Sequence, residues 1–163
     1  MRDMMAVMIA LTHEPIDYAA LTEAVRSPHA GAICLFLGTV RDLTGDEVTV
    51  FLDYDAYPAM AEKKLAEIEA SVREKWPAEG VALVHRLGRL AVGDISVAVA
   101  VSCPHRVQAF EACWYAIDAV KELVPIWKKD IADSGREEWQ HPEVMRNAEC
   151  GMRNEETSAR SPS

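Results

Sequence analysis

The side chains with the most chemical potential cluster in three short stretches. "VKELVPIWKKD", residues 120–130, sets Lys121, Lys128, Lys129 and Asp130 around a proline and a tryptophan; "CPHR" places His105 and Arg106 ahead of a periodic apolar run; "LGTVR" ends on Arg41. Groups of this kind bind anions. Each has an ordinary reading alone: a lysine at a helix end complements the dipole, and an arginine after a helix start lies in solvent. Their coincidence in an otherwise acidic chain points to an anion pocket, because the first turn of a helix adds unpaired amides and a favourable dipole.

Those stretches fall at the ends of regular elements. "MMAVMIAL" reads as a first strand and "IDYAALTEAV" as a helix that ends near Ser27-Pro28. "GAICLFLGTV" reads as a strand bounded by Gly31 and Gly38, leaving Arg41 in the loop that follows, and "EVTVFLDY" alternates like another strand. "PAMAEKKLAEIEASVREKW" is a long helix with Pro58 suited to its first position and Ala61, Leu65, Ile68, Val72 and Trp76 along one apolar stripe. "VALVHRLGRL" and "ISVAVAVS" read as strands joined through "AVGD" in a hairpin-like link. A second long helix opens after Pro104, with Val107, Phe110, Trp114, Ile117 and Val120 on one side. It stops before Pro125, which lacks an amide hydrogen, and "PIWKKDI" continues extended. The expected fold is α+β: a compact single domain over residues 1–140 with a mixed, mainly antiparallel sheet packed by two long helices, plus a small β subdomain. Residues 141–163 read as a largely disordered tail.

Composition bounds the function. The 163 residues are half hydrophobic, enough for a sizeable core, and 17 Lys and Arg against 26 Asp and Glu give a net charge of −9. That charge repels nucleic acid and anionic lipid. No stretch approaches the roughly 20 apolar residues of a membrane span, and the opening apolar run lacks a cleavage pattern, so a cytoplasmic protein is expected. Cys34, Cys103, Cys113 and Cys150 are widely spaced and form no C-x-x-C pair, which reads as reduced structural thiols rather than a metal or redox site. A Gly-rich phosphate loop, a nucleotide motif and a metal-ligand cluster are all missing, which disfavours NTPase, dinucleotide and metalloenzyme readings.

The strings "GAICLFLGTVRD", "LDYDAYPAMAEKKLAEI" and "HRLGRLAVGDISVAVAVSCPHRVQAFEACWYAIDAVKELVPIWKKD", with the nearby Trp139, closely resemble the catalytic (large) subunits of molybdopterin synthases. The resemblance runs from about Met5 to Trp139 and keeps the order of G-x-V-R, H-R-x-x-A-F, D-x-x-K and P-x-W-K. It implies an enzyme that installs the dithiolene of molybdopterin on cyclic pyranopterin monophosphate. Sulfur would come from the C-terminal thiocarboxylate of a small ubiquitin-like subunit whose tail threads into the pocket. It also implies a dimer of large subunits with a small subunit at each end, and no cofactor or metal.

Carried onto this chain, the resemblance makes Arg41, His105 and Arg106 the phosphate cradle, Thr39 and Val40 flanking main-chain contacts, and Phe36 a wall for the pterin. Lys121 and Lys128 become the catalytic candidates, with Lys129 and Asp130 completing the binding segment; Asp130 stands where a longer glutamate is common. An ordinary lysine is protonated at neutral pH, and a cluster of cations with partial burial disfavours the ammonium form, freeing an amine for attack or proton transfer. Tyr54 and Tyr57 read as packing residues. Two other classes fit the same residues: a non-catalytic module that binds anions or a peptide tail, and a Schiff-base lysine enzyme.

Overall fold

A computed structural model describes residues 6–140 apart from residue 45. The tail expected from residue 141 onward, Cys150 and the first residues of the opening strand lie outside the described residues. In chain order the elements are β1 (Ala6–Thr12), α1 (Tyr18–Ala24), β2 (Ala32–Thr39), β3 (Leu43–Thr44), β4 (Glu47–Ala56), α2 (Pro58–Lys75), β5 (Gly80–Arg86), β6 (Gly88–Ala91), β7 (Ile95–Cys103), α3 (Arg106–Leu123), β8 (Ile126–Ala132) and β9 (Glu137–Gln140).

Two sheets form. The first has the order β1-β5-β7-β2, with β1 parallel to β5 and the other pairs antiparallel. The second runs β3-β4-β8-β9, with β6 also paired to β4. The α+β class and the mixed, mainly antiparallel character are as expected, and the second sheet is the small β subdomain.

The first sheet is apolar along whole strands because it is covered on both sides. α2 and α3 press Ala61, Leu65, Ile68, Val72, Ala112, Ala116 and Val120 against Val81, Leu83, Val97, Val99 and Val101. Each large side chain so buried contributes roughly 1.5–3 kcal/mol. On the other face α1, capped by the Asp17 carboxylate accepting from the Ala20 amide, packs Leu21 beside Ala82, Val84, Ala98 and Ala100. A third, smaller cluster of Val40, Leu52 and Leu90 with Tyr54 joins the second sheet to the loop after β2.

The sequence reading needs two corrections. "VALVHRLGRL" is not one strand hairpinned to the next: it breaks at Leu87, Gly88 takes φ +85°, and β6 leaves to pair with β4 while β5 pairs with β7. In α3 the expected stripe divides. Ile117 and Val120 are buried with Ala109, Ala112, Cys113, Ala116 and Ala119, whereas Val107, Phe110 and Trp114 stand 57%, 65% and 67% exposed. Small residues let the helix sit close to the sheet, and a helix apolar on several sides gives its period no single direction to report.

Candidate active site

The loop carrying Arg41 is built by a β-bulge. Gly38 pairs with Val97 but Thr39 pairs with Ile95, which leaves Ser96 as the extra residue on β7. The Ser96 hydroxyl donates to the Gly38 carbonyl at 3.2 Å, replacing the bond the bulge removes from the ladder. Beyond the bulge the Val40 amide donates to Asp94 O at 2.9 Å and the Gly93 amide donates to Val40 O at 2.8 Å. Val40 is buried. Its amide is therefore committed inside the fold. Thr39 and Arg41 are exposed at the rim.

Lys121 lies in the last turn of α3 and is exposed, and β8 then carries Lys128, Lys129 and Asp130. Across the β4–β8 ladder Tyr54 is opposite Lys128 and Leu52 is opposite Asp130. Alternation puts Lys128 and Asp130 on the face that meets Val40 and the first sheet. Lys129 belongs to the other face, where it forms an ion pair with Glu137 and sits 5.6 Å from the centre of the Trp139 ring. The structure thus separates Lys129 from Lys128. Asp130 accepts from the Gln140 side-chain amide through Oδ2, while its buried Oδ1 has no hydrogen-bond partner. Burial pushes the Asp130 carboxyl up, with Lys128 holding it down and Glu138 raising it further.

His105 and Arg106 are elsewhere. β2 and β7 are antiparallel, with Thr39 opposite Ile95 and Ala32 opposite Cys103, so Arg41 and the start of α3 flank opposite ends of the sheet. α3 runs back along β7, with Cys113 Sγ 3.8 Å from Val99 O at mid-strand. The 15 positions from Arg106 to Lys121 span about 22 Å of helix axis. One chain therefore does not gather Arg41, His105 and Arg106 into a single cradle. His105 is the N-cap of α3, and its side chain does not cap the helix. Phe36 is half-buried against the core on the α3 side of β2.

Charge pairing divides the cations of the described residues. Arg26, Lys64, Arg73, Arg86, Arg89, Lys129 and Arg136 each have a carboxylate partner. Arg41, Arg106, Lys121 and Lys128, like Lys63 and Lys75 on α2, form no ion pair with any described residue, and Lys128 acts on the nearby Asp130 carboxyl. Among the described residues no group of three or more His, Cys, Asp or Glu could hold a metal ion. Cys34, Cys103 and Cys113 are free, and burial raises the Cys103 and Cys113 thiols away from reactivity.

Sequence reasoning missed two residues beneath the site, Ser96 and His85. Tyr54 packs against Val40, Leu52 and Leu90 as expected, and burial pushes its hydroxyl up, with Ser96 opposing the shift and Asp130 adding to it. His85 is buried, edge-on to Tyr54 with ring centres 5.1 Å apart, and desolvation holds it down to about 4. No local signal marks Ser96 or His85, because both act through partners distant in sequence.

An α+β protein with two covered faces, a bulge-built arginine loop and unpaired cations at both ends of one helix is the class that fold and site define. The model of the MoaE protein family matches residues 11–123, and the chain belongs to that family. It is 50% identical over 126 residues to the molybdopterin synthase catalytic subunit of Halalkalibacterium halodurans, covering 77% of this chain and 81% of that protein. The molybdopterin synthase catalytic subunit of Bacillus subtilis is 46% identical over 129 residues, 79% of this chain and 82% of that one. Among solved structures, molybdopterin synthase from Staphylococcus aureus superposes with a TM-score of 0.76 at 45% identity, over 80% of this chain and 94% of that chain.

Proposed function

We propose that this chain is the catalytic subunit of a molybdopterin synthase, a cytoplasmic sulfurtransferase of molybdenum cofactor biosynthesis. It takes sulfur from the C-terminal thiocarboxylate of a small ubiquitin-like subunit and places it on cyclic pyranopterin monophosphate to form the dithiolene. The name catalytic subunit borne by its relatives supports a second, sulfur-carrying subunit. No helix among the described residues is long and apolar enough to cross a membrane. The chemistry belongs to the domain within residues 1–140.

The observation that carries this reading is the pair of cation groups left without carboxylate partners at the two ends of α3. Val107, Trp114 and Lys121 are spaced by seven along the helix, with Phe110 between the first two, so the exposed apolar patch and Lys121 share a face. Halfway between Arg106 and Lys121 lie Cys113 and Trp114. Two copies packed about a two-fold axis through that patch, with their α3 helices antiparallel, set Arg106 of one beside Lys121 of the other. Each pocket then takes Arg41, Lys121 and Lys128 from one chain and His105 and Arg106 from its partner. Arginines and helix-start amides grip the phosphate. The lysines serve the acyl centre of the tail: one as the amine that attacks or moves protons, the other as a cation facing the developing oxyanion. Lys129 braces the β8–β9 hairpin through Glu137 and Trp139 and acts only indirectly.

The test is dithiolene formation from the purified chain, its thiocarboxylated small subunit and the cyclic pterin; absence of product where a known synthase works refutes the assignment. Co-refolding Arg106→Ala with Lys121→Ala tests the shared pocket. The mixture should regain about a quarter of wild-type activity, since half the dimers are mixed and each holds one intact pocket. No recovery places the whole pocket in one chain.

A further inference from the structure

We propose that Arg86 and Asp94 are positioning residues whose ion pair braces the turn that holds the Arg41 loop, a role that rests on the reading above in which Arg41 grips the pterin phosphate.

Arg41 is exposed, and the backbone on either side of it is what fixes its place. On one side, both backbone groups of Val40 are bonded to a single turn: the Val40 amide donates to Asp94 O at 2.9 Å, and the Gly93 amide donates to Val40 O at 2.8 Å. On the other, Asp42 O accepts from the Thr49 amide of β4 at 2.8 Å. The turn, residues 91–94, is where the chain passes from β6 in the second sheet to β7 in the first. Asp94 closes it twice. Its amide donates to Ala91 O at 3.0 Å, with Gly93 at φ +90° in the third position, and its carboxylate Oδ2 accepts from the Ala91 amide at 3.0 Å. The same oxygen accepts from Arg86 Nη1 at 3.4 Å.

Arg86 is the last residue of β5 and is paired in the ladder with Thr12 of β1. Its side chain is mostly buried and its Nε has no hydrogen-bond partner, so among the described residues Asp94 is the group that neutralises it. Removing the partner of such a pair leaves an uncompensated charge inside the fold. A continuous set of bonds therefore runs from the interior sheet, through one guanidinium and one carboxylate, to the peptide that precedes Arg41. Without the carboxylate the turn keeps only its Asp94-to-Ala91 backbone bond, and the loop it carries is free to shift. Arg41 then meets the phosphate out of alignment while its own side chain is intact.

The experiment uses the full chain and its Asp94→Ala, Arg86→Met, Arg41→Ala and Asp94→Ala/Arg41→Ala variants. Equilibrium binding of the cyclic pterin and amide hydrogen exchange are both measured. Asp94→Ala and Arg86→Met should each weaken pterin binding about fivefold or more, and by no more than Arg41→Ala, which removes the charged hydrogen bond itself. In the Arg41→Ala background, Asp94→Ala should change affinity by less than about twofold, because both act through one contact. Wild-type affinity in both single variants, or losses that multiply in the double variant, overturns the proposal. Exchange at the Val40 and Gly93 amides should quicken about tenfold or more in Asp94→Ala and Arg86→Met while the Leu83 and Val99 amides of the core keep their protection, the pattern of local opening. Loop amides that stay protected, or a loss shared equally by the core, overturn it too. Should Asp94→Ala fail to fold, Asp94→Asn, which keeps an oxygen for the Ala91 amide and drops the charge, takes its place in both measurements. If Arg41→Ala leaves pterin binding unchanged, or the wild-type chain binds none, the cradle reading falls, and the exchange measurement still decides whether Arg86 and Asp94 hold the loop.

Discussion

Arginine keeps the charge of lysine but cannot give up its proton near neutral pH, so exchange of one for the other separates chemistry from electrostatics. Lys121→Arg or Lys128→Arg should lower single-turnover sulfur transfer by orders of magnitude for at least one of the two, with tail and pterin binding little changed. Near-normal turnover in both would make the lysines charge contacts only. Arg41→Ala should act on binding, weakening the pterin by roughly 1.5–3 kcal/mol for a lost charged hydrogen bond. Isothermal titration with the pterin measures it. His85 has a different signature. Its folded value of about 4 lies below the ordinary 6.5, so between those limits the unfolded chain binds the extra proton and stability falls as pH drops through that window. At about 1.4 kcal/mol per unit, the loss approaches ~3 kcal/mol by the low end. Urea unfolding at pH 7 and pH 4.5 should show it, and His85→Gln should remove most of the dependence.

At the scale of elements, β4 is the hub of the second sheet, since β3, β6 and β8 all pair with it. β6 reaches it only because the chain turns out of the first sheet at Gly88, whose φ of +85° is a conformation that L side chains avoid. An added Cβ would meet only His13, at 3.4 Å, so the penalty is conformational and not steric. Gly88→Ala should therefore cost about 1–3 kcal/mol, seen as a lower denaturant midpoint with an unchanged slope. A wild-type midpoint would mean that the turn relaxes. The same break explains why "VALVHRLGRL" reads as one strand: apolar alternation continues through it, and a glycine in a strand does not announce which sheet comes next.

For the whole molecule, Val107, Phe110 and Trp114 present a contiguous apolar helix face to solvent in the single chain. Static light scattering should give a homodimer alone and a heterotetramer with the small subunit. Trp114→Glu should yield a folded monomer with unchanged far-ultraviolet circular dichroism and little sulfur transfer, because each pocket loses its partner's His105 and Arg106. A monomeric variant that keeps full activity would refute the shared pocket.

The amino-acid order by itself determined the α+β class, the helices and the longer strands, because long apolar periods, Pro58, Pro104 and Pro125 act locally, but not the short β3, β6 and β9. It also singled out Arg41, His105, Arg106, Lys121 and Lys128 as candidates, through motif spacing. It could not say that Lys128 and Lys129 turn to opposite faces of β8, which depends on how β8 pairs with β4. Nor could it say that Arg41 and Arg106 lie at opposite ends of a sheet, or that Tyr54 meets His85. Those facts rest on strand direction, register and one bulge, and each is fixed by contacts between segments dozens of residues apart, where burial and ladder pairing outweigh any local preference.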